Sequence, residues 1–136
     1  MVNRSKATGT AAESAVVKYL RENGFGNAER RALHGSTDLG DITGIPGVVI
    51  EVKAGKAAET ASDGLVNAWL AETNIEQRNA KAAAGVLVLK RKGKATAGDW
   101  WAICRVRRSD HQHMPVRYLF KDYVMGLRES GYGDPL

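Results

Sequence analysis

Residues 40–56 read GDITGIPGVVIEVKAGK. Ile45-Pro46-Gly47 is a turn signal, so the stretch predicts a strand from Asp41, a turn, and a second strand ending near Lys53. Side chains alternate along a strand. Val48, Ile50 and Val52 therefore share one face, and Val49, Glu51 and Lys53 the other. The first face suits packing under helices. The second begins apolar and ends with a carboxylate and an ammonium, their Cα atoms about 6.6 Å apart by strand rise. Such a face must emerge at an edge or a cleft. A three-residue loop at Ile45–Gly47 sets Asp41 directly across from Glu51, whereas a tighter type II turn centred on Pro46-Gly47 shifts the register. The expectation is that both carboxylates converge within reach of one cation.

Outward from this stretch, TAAESAVVKYLRENGF predicts a first helix with Thr10 as N-cap, Gly24 as its stop, and Val16, Val17 and Leu20 as its apolar stripe. NAERRAL predicts a strand over 28–33, and HGSTDLG a polar loop. AGKAAETASDG reads as a loop, and residues 65–84 as a long helix interrupted near Thr73-Asn74. VLVLKR has the continuous apolar pattern of a sheet interior. WWAICRVR returns as a strand, SDHQHMP is a loop, and VRYLFKDYVMGLRES ends the order as strand and helix. The alternation α-β-β-β-α-β-β-α predicts a single α/β domain over 1–136, a small mixed sheet flanked by helices, with 1–7 and 131–136 frayed.

The 136 residues are 43% hydrophobic, enough for a core, and no apolar run approaches the roughly 20 residues that span a bilayer. No secretory segment is evident, and Cys104 is the one cysteine, so the expectation is a reduced, cytoplasmic compartment without an internal disulfide. In WWAICRV that thiol reads as core. The formal charge is +5, with Lys90, Arg91, Lys92, Lys94, Arg105, Arg107 and Arg108 set against Asp99 alone in residues 86–108. That run reads as a phosphate-contact surface, with Lys90, Arg91, Lys92 and Lys94 on duplex arms.

Two carboxylates at one point suit a hard cation such as Mg²⁺, which takes one or two carboxylates and keeps several waters. A lysine beside it can orient the attacking water or stabilise a charged transition state. The alternative is a surface Glu–Lys pair worth about 0–1 kcal/mol. Asp41 upstream, with a helix before it, favours the site.

The pattern of Asp41, Glu51-Val52-Lys53 in GDITGIPGVVIEVK resembles the motif of the PD-(D/E)xK nuclease superfamily, with Gly40 where proline is usual. The longer stretch ESAVVKYLRENGFGNAERRALHGSTDLGDITGIPGVVIEVK looks like the Holliday junction resolvases of the archaeal type and their phage relatives. The resemblance implies a restriction-endonuclease-like fold, a Mg²⁺-dependent phosphodiesterase, a homodimer, and four-way DNA junctions as substrate; Mn²⁺ stays open as an alternative cation. It places the metal carboxylates on Asp41 and Glu51 and the catalytic lysine on Lys53. A glutamate of the first helix falls on Glu13, as a metal-site residue or as the capping-box partner of Thr10. A strand arginine falls on Arg30 or Arg31, and a loop hydroxyl on Ser36 or Thr37. Asp38 reads as loop. A catalytic glutamine on the helix after the lysine strand falls on Gln77, which reads equally as a solvated residue. Lys56, Arg78 and Lys81 add phosphate contacts.

His111 and His113 read as loop residues. Of Trp100 and Trp101, one is expected in the core and the other at an interface or stacked on a base. Rival classes are another PD-(D/E)xK nuclease acting on flaps or other DNA, and a non-catalytic basic DNA-binding protein. The latter leaves Asp41, Glu51 and Lys53 unexplained.

Overall fold

The computed structural model describes residues 4–32 and 39–135. In chain order it contains α1 (Arg4–Glu22), β1 (Glu29–Arg30), β2 (Ile42–Thr43), β3 (Val48–Lys53), α2 (Lys56–Glu59), α3 (Asp63–Asn79), β4 (Ala84–Leu89), a 3-10 turn (Ala97–Asp99), β5 (Trp101–Arg107), β6 (His113–Leu119) and α4 (Phe120–Glu129). The architecture is mixed α/β, a small mixed sheet flanked by helices, as its alternation of patterns predicts.

One sheet has four strands in the order β3-β4-β5-β6. β3 and β4 run parallel, so the chain crosses between them through α2 and α3 rather than by a tight turn. The β4–β5 and β5–β6 pairs are antiparallel. Lys53, Leu89, Trp101 and Leu119 stand in one row across the four strands. Val48, Ile50 and Val52 join a core with Val16, Leu20, Phe120 and Val124, from α1 and α4. Leu87, Leu89 and Ile103 join a second core with Val66 and Leu70 of α3. The sheet is thus covered on both faces, which is why β4 reads as an unbroken apolar run.

Several boundaries differ from expectation. α1 starts at Arg4, so Thr10 lies inside the helix and cannot cap it. Gly9-Thr10 reads as a boundary because glycine costs a helix about 1 kcal/mol, a cost the packing of Ala12, Val16 and Leu20 outweighs. At the other end Gly24 takes φ 96°, and the Phe25 N–H closes onto the Leu20 carbonyl at 2.9 Å, the expected stop. The first strand shrinks to Glu29–Arg30, and residues 56–59 are helical rather than loop. α3 is capped by Ser62, whose hydroxyl accepts from Leu65 N–H, and runs unbroken past Thr73-Asn74 to Asn79. β6 begins at His113, inside the predicted loop. Cys104 is only half-buried. The tail is tied down: the Asp134 N–H donates to the Gly24 carbonyl at 2.8 Å, and its Oδ2 accepts from the Gly26 N–H at 2.9 Å.

The predicted hairpin does not zip. β2 pairs with β1 instead, in a two-stranded sheet with Glu29 opposite Thr43 and Arg30 opposite Ile42. Gly44, at φ 86°, lies so close to the Asn27 carbonyl that no side chain fits there, and this contact draws β2 toward β1. β3 is left as an edge strand whose free side is met by isolated bonds from Asp41.

Candidate active site

The turn before β3 is the tighter of the two expected. The Val48 N–H donates to the Ile45 carbonyl at 3.1 Å, and Gly47 at φ 83° gives the type II form. This register moves Asp41 off the position directly across from Glu51. The Asp41 N–H donates to the Ile50 carbonyl at 2.9 Å, and its Oδ2 accepts from the Val52 N–H at 2.7 Å. The carboxylate thus satisfies an edge donor that a neighbouring strand would otherwise take, and it is held on both sides of Glu51.

Glu51 is 8% exposed, under α3. Its carboxyl lies within hydrogen-bonding reach of Asp41 and of Glu76, an α3 residue only 3% exposed. These groups are acceptors unless protonated, and Glu51 Oε2 is buried with no donor among the described residues. Burial, then the contact with Glu76 and the charge of Asp41, push the Glu51 carboxyl up to about 11. Without a cation, Glu51 holds its proton at neutral pH.

Lys53 lies beside this group. Its Nζ is 3.8 Å from Glu51 Oε1, 3.7 Å from Glu72 Oε2, and 5.6 Å from the centre of the Trp69 ring. Trp69, Glu72 and Glu76 fall at i, i+3 and i+7 on α3, so one face of one helix both steers the lysine and roofs the carboxyl. None of the three is singled out by the strand motif.

Of the other predicted site residues, Glu13 is brought close to Asp41. Its carboxyl is raised by burial and by the Asp41 charge, against the lowering effect of Arg30. It pairs with Arg30 at 3.5 Å, while the Thr10 hydroxyl accepts from the same guanidinium at 3.4 Å, so the capping box is replaced by an arginine bridge. Gln77 turns away from the carboxyls: its amide donates to the Ala82 carbonyl at 3.3 Å and packs on Gly85. Its neighbour Glu76 takes the inward position. The Arg31 N–H donates to the Asp41 carbonyl at 2.8 Å, extending the β1–β2 pairing toward the site. Lys56 and Arg78 are exposed, as are Lys92 and Lys94 of the basic turn. Ser36, Thr37 and Asp38 lie outside the described residues.

No family model, curated protein or solved structure matches this chain. The site is therefore read from its own chemistry. Among the described residues no preformed cage of three acidic, histidine or cysteine ligands stands ready for a metal. The donor set nevertheless fits Mg²⁺, which binds by one or two carboxylates plus water: the Glu51 carboxyl, one oxygen of which is buried without a donor, lies within hydrogen-bonding reach of Asp41.

Glycine at position 40 follows from the backbone. It takes φ 93°, and a Cβ there would lie 2.9 Å from Val49 Cγ1 and 3.4 Å from Glu76 Oε2. Proline is locked near φ −65° and cannot occupy this backbone. Gly40→Ala is expected to lower the unfolding free energy by about 1–2 kcal/mol, the cost of a left-handed conformation, before any displacement of Glu76. Urea unfolding reads this, and an unchanged midpoint would contradict the placement.

Proposed function

We propose that the chain is a Mg²⁺-dependent DNA endonuclease of the PD-(D/E)xK type, with a restriction-endonuclease-like fold, that cuts four-way junctions as a homodimer. The observation that carries this reading is the convergence of Asp41, Glu51 and Glu76 beside Lys53 on a sheet edge. A structural Glu–Lys pair needs neither the buried third carboxyl nor the donorless oxygen. The order of α1, three strands, a helical crossover and a parallel fourth strand also supports it.

Asp41 and Glu51 would hold the cation, with Glu13 beside Asp41. Bound there, the cation would supply a hydroxide nucleophile and neutralise charge on the phosphoryl oxygen. Lys53 presents its ammonium to the same space, where it orients water or offsets charge developing on the phosphate. Trp69 and Glu72 limit its rotamers. Glu76 fixes the Glu51 carboxyl from behind. Two symmetric cuts need two such sites, which is the reason for a dimer.

The test is cleavage of a labelled four-way junction beside the same arms as linear duplex, flap and splayed arm. Paired nicks in the junction alone, dependent on Mg²⁺ or Mn²⁺ and lost in EDTA, are expected. Equal or better cutting of flaps or linear DNA would keep the nuclease and discard the junction. Binding without cleavage of any substrate would leave a basic DNA-binding protein.

A further inference from the structure

We infer that a second, separate site on the same sheet face binds a phosphate group of the nucleic-acid strand. Beyond the end of β3, between α2 and the β4–β5 turn, lies a cleft of about 180 Å³. Lys90, Arg91, Lys92 and Arg117 line it, with Glu59 as its acid. None of the four cations makes an ion pair among the described residues. Lys90 Nζ lies over the buried Trp100 ring, 5.9 Å from its centre, which leaves Arg91, Lys92 and Arg117 as three like charges around one polar hollow, and they repel one another unless an anion enters. The hollow is smaller than the roughly 300 Å³ at which drug-sized pockets begin, so it suits a phosphate rather than a base or nucleoside.

The cleft is built rather than accidental. Trp101 is half-buried, and both Arg91 and Arg117 stack on its ring, their Cζ atoms 4.3 Å and 5.1 Å from the centre. Arg91 Nη1 also donates to the Asp99 carbonyl at 2.9 Å. An indole and a carbonyl thus hold the guanidinium plane while its other N–H groups stay available, which lowers the entropy lost on binding an oxyanion. Arg117 comes from β6, opposite Ile103, and stands apart from the run of basic residues that the sequence singles out.

Its position gives it a use. Lys53, Leu89 and Trp101 are successive members of one cross-strand row, so Trp101 lies two strands, about 10 Å, from Lys53. The Lys90 N–H donates to the Lys53 carbonyl at 3.0 Å, joining the two sites through backbone. A strand rising about 3.4 Å per nucleotide covers that offset in about three steps. The cleft therefore grips the strand a fixed distance from the bond facing Lys53, which rests on the proposed nuclease reading for its consequence but not for its binding.

The test follows the tryptophan indole N–H resonances of the full chain in EDTA, with the Trp101 signal assigned by Trp101→Phe. Pyrophosphate and short single-stranded oligonucleotides, with and without a terminal phosphate, are titrated in turn. With pyrophosphate, Trp101 is expected to shift and Trp69 to stay. A shift from oligonucleotides of either kind assigns backbone diesters, and one requiring the terminal group assigns the strand end. Arg117→Ala is expected to weaken binding about tenfold and reduce the salt slope by about 1, while Lys18→Ala, an exposed charge on α1, changes little. A silent Trp101, or equal losses from Arg117→Ala and Lys18→Ala, would overturn the cleft. Because no cation is needed, a shifted Trp101 in a protein that cleaves nothing would count against the nuclease alone. Unimpaired cleavage with a silent Trp101 would count against the cleft alone.

Discussion

Glu51→Gln is expected to abolish junction cleavage while raising the melting temperature of the protein in EDTA at neutral pH. The two effects have one cause. The Glu51 carboxyl is buried within reach of Asp41 and Glu76, and its one proton can serve only one of these neighbours. A buried acceptor left unpaired costs about 1–3 kcal/mol. An amide of the same shape supplies two N–H donors to those neighbours, so part of that cost is recovered, and a melting point higher by upwards of about 3 °C follows. The same amide is a poor ligand for a hard cation, so cleavage falls by about 10²–10³-fold or more. Lys53→Ala should match the loss of cleavage without the gain in stability. Its ion pair to the exposed Glu72 is worth about 0–1 kcal/mol, and the Glu51 carboxyl beside it is protonated. Junction binding, measured without a cation, should survive both changes. Normal cleavage by Glu51→Gln would remove the carboxyl cluster from the reaction. A lower melting point would show that the cluster is already satisfied, and a purely structural Glu51 would not separate the two readouts.

The legible part of this site was the strand. The period of two puts Glu51 and Lys53 on one face whatever the rest of the chain does, and Val48, Ile50 and Val52 leave only one face for the core. Asp41 was legible by proximity, although the turn put it beside Val52 and left its side chain to complete the approach. Glu76 was not. The buried stripe of α3 runs Val66, Leu70, Thr73 and Glu76, whereas a step of four from Thr73 would have put Gln77 in that place. A rotation of about 100° per residue separates Gln77 from Glu76, and the crossover that sets this phase is a tertiary property. A signal existed in the sequence: Trp69, Glu72 and Glu76 share a helix face too polar for a core and too aromatic for solvent. The β1–β2 pairing was hidden for a similar reason. Alternation shows that a strand exists, while a close contact at Gly44 decides its partner.

The cation-free protein should lose stability as pH rises, the reverse of a protein whose carboxylates are ion-paired. The Glu51 carboxyl is raised from its ordinary value of 4.5 to about 11, first by burial and then by Glu76 and Asp41. Below 4.5 both folded and unfolded chains are protonated there, and the group's contribution is fully present. Above 4.5 the unfolded chain ionises while the folded one keeps its proton, so stability falls steadily toward the folded value. Glu13 acts in the same direction, held back by Arg30. In EDTA the melting temperature is therefore expected to fall by more than about 5 °C between about pH 5 and about pH 8. Mg²⁺ must displace that proton to bind, so its effect has the opposite trend. At a concentration of about 100 times the dissociation constant it contributes about 2.7 kcal/mol, a rise of roughly 8 °C near pH 8, and far less near pH 5. Glu51→Gln should flatten both curves, since it leaves nothing there to titrate. Melting scans across pH, with EDTA or with Mg²⁺, read all of this. A melting point that climbs with pH in EDTA, or a Mg²⁺ shift of equal size at both ends, would mean that Glu51 is already ionised among its neighbours. The cation would then have no protonated carboxyl to compete with.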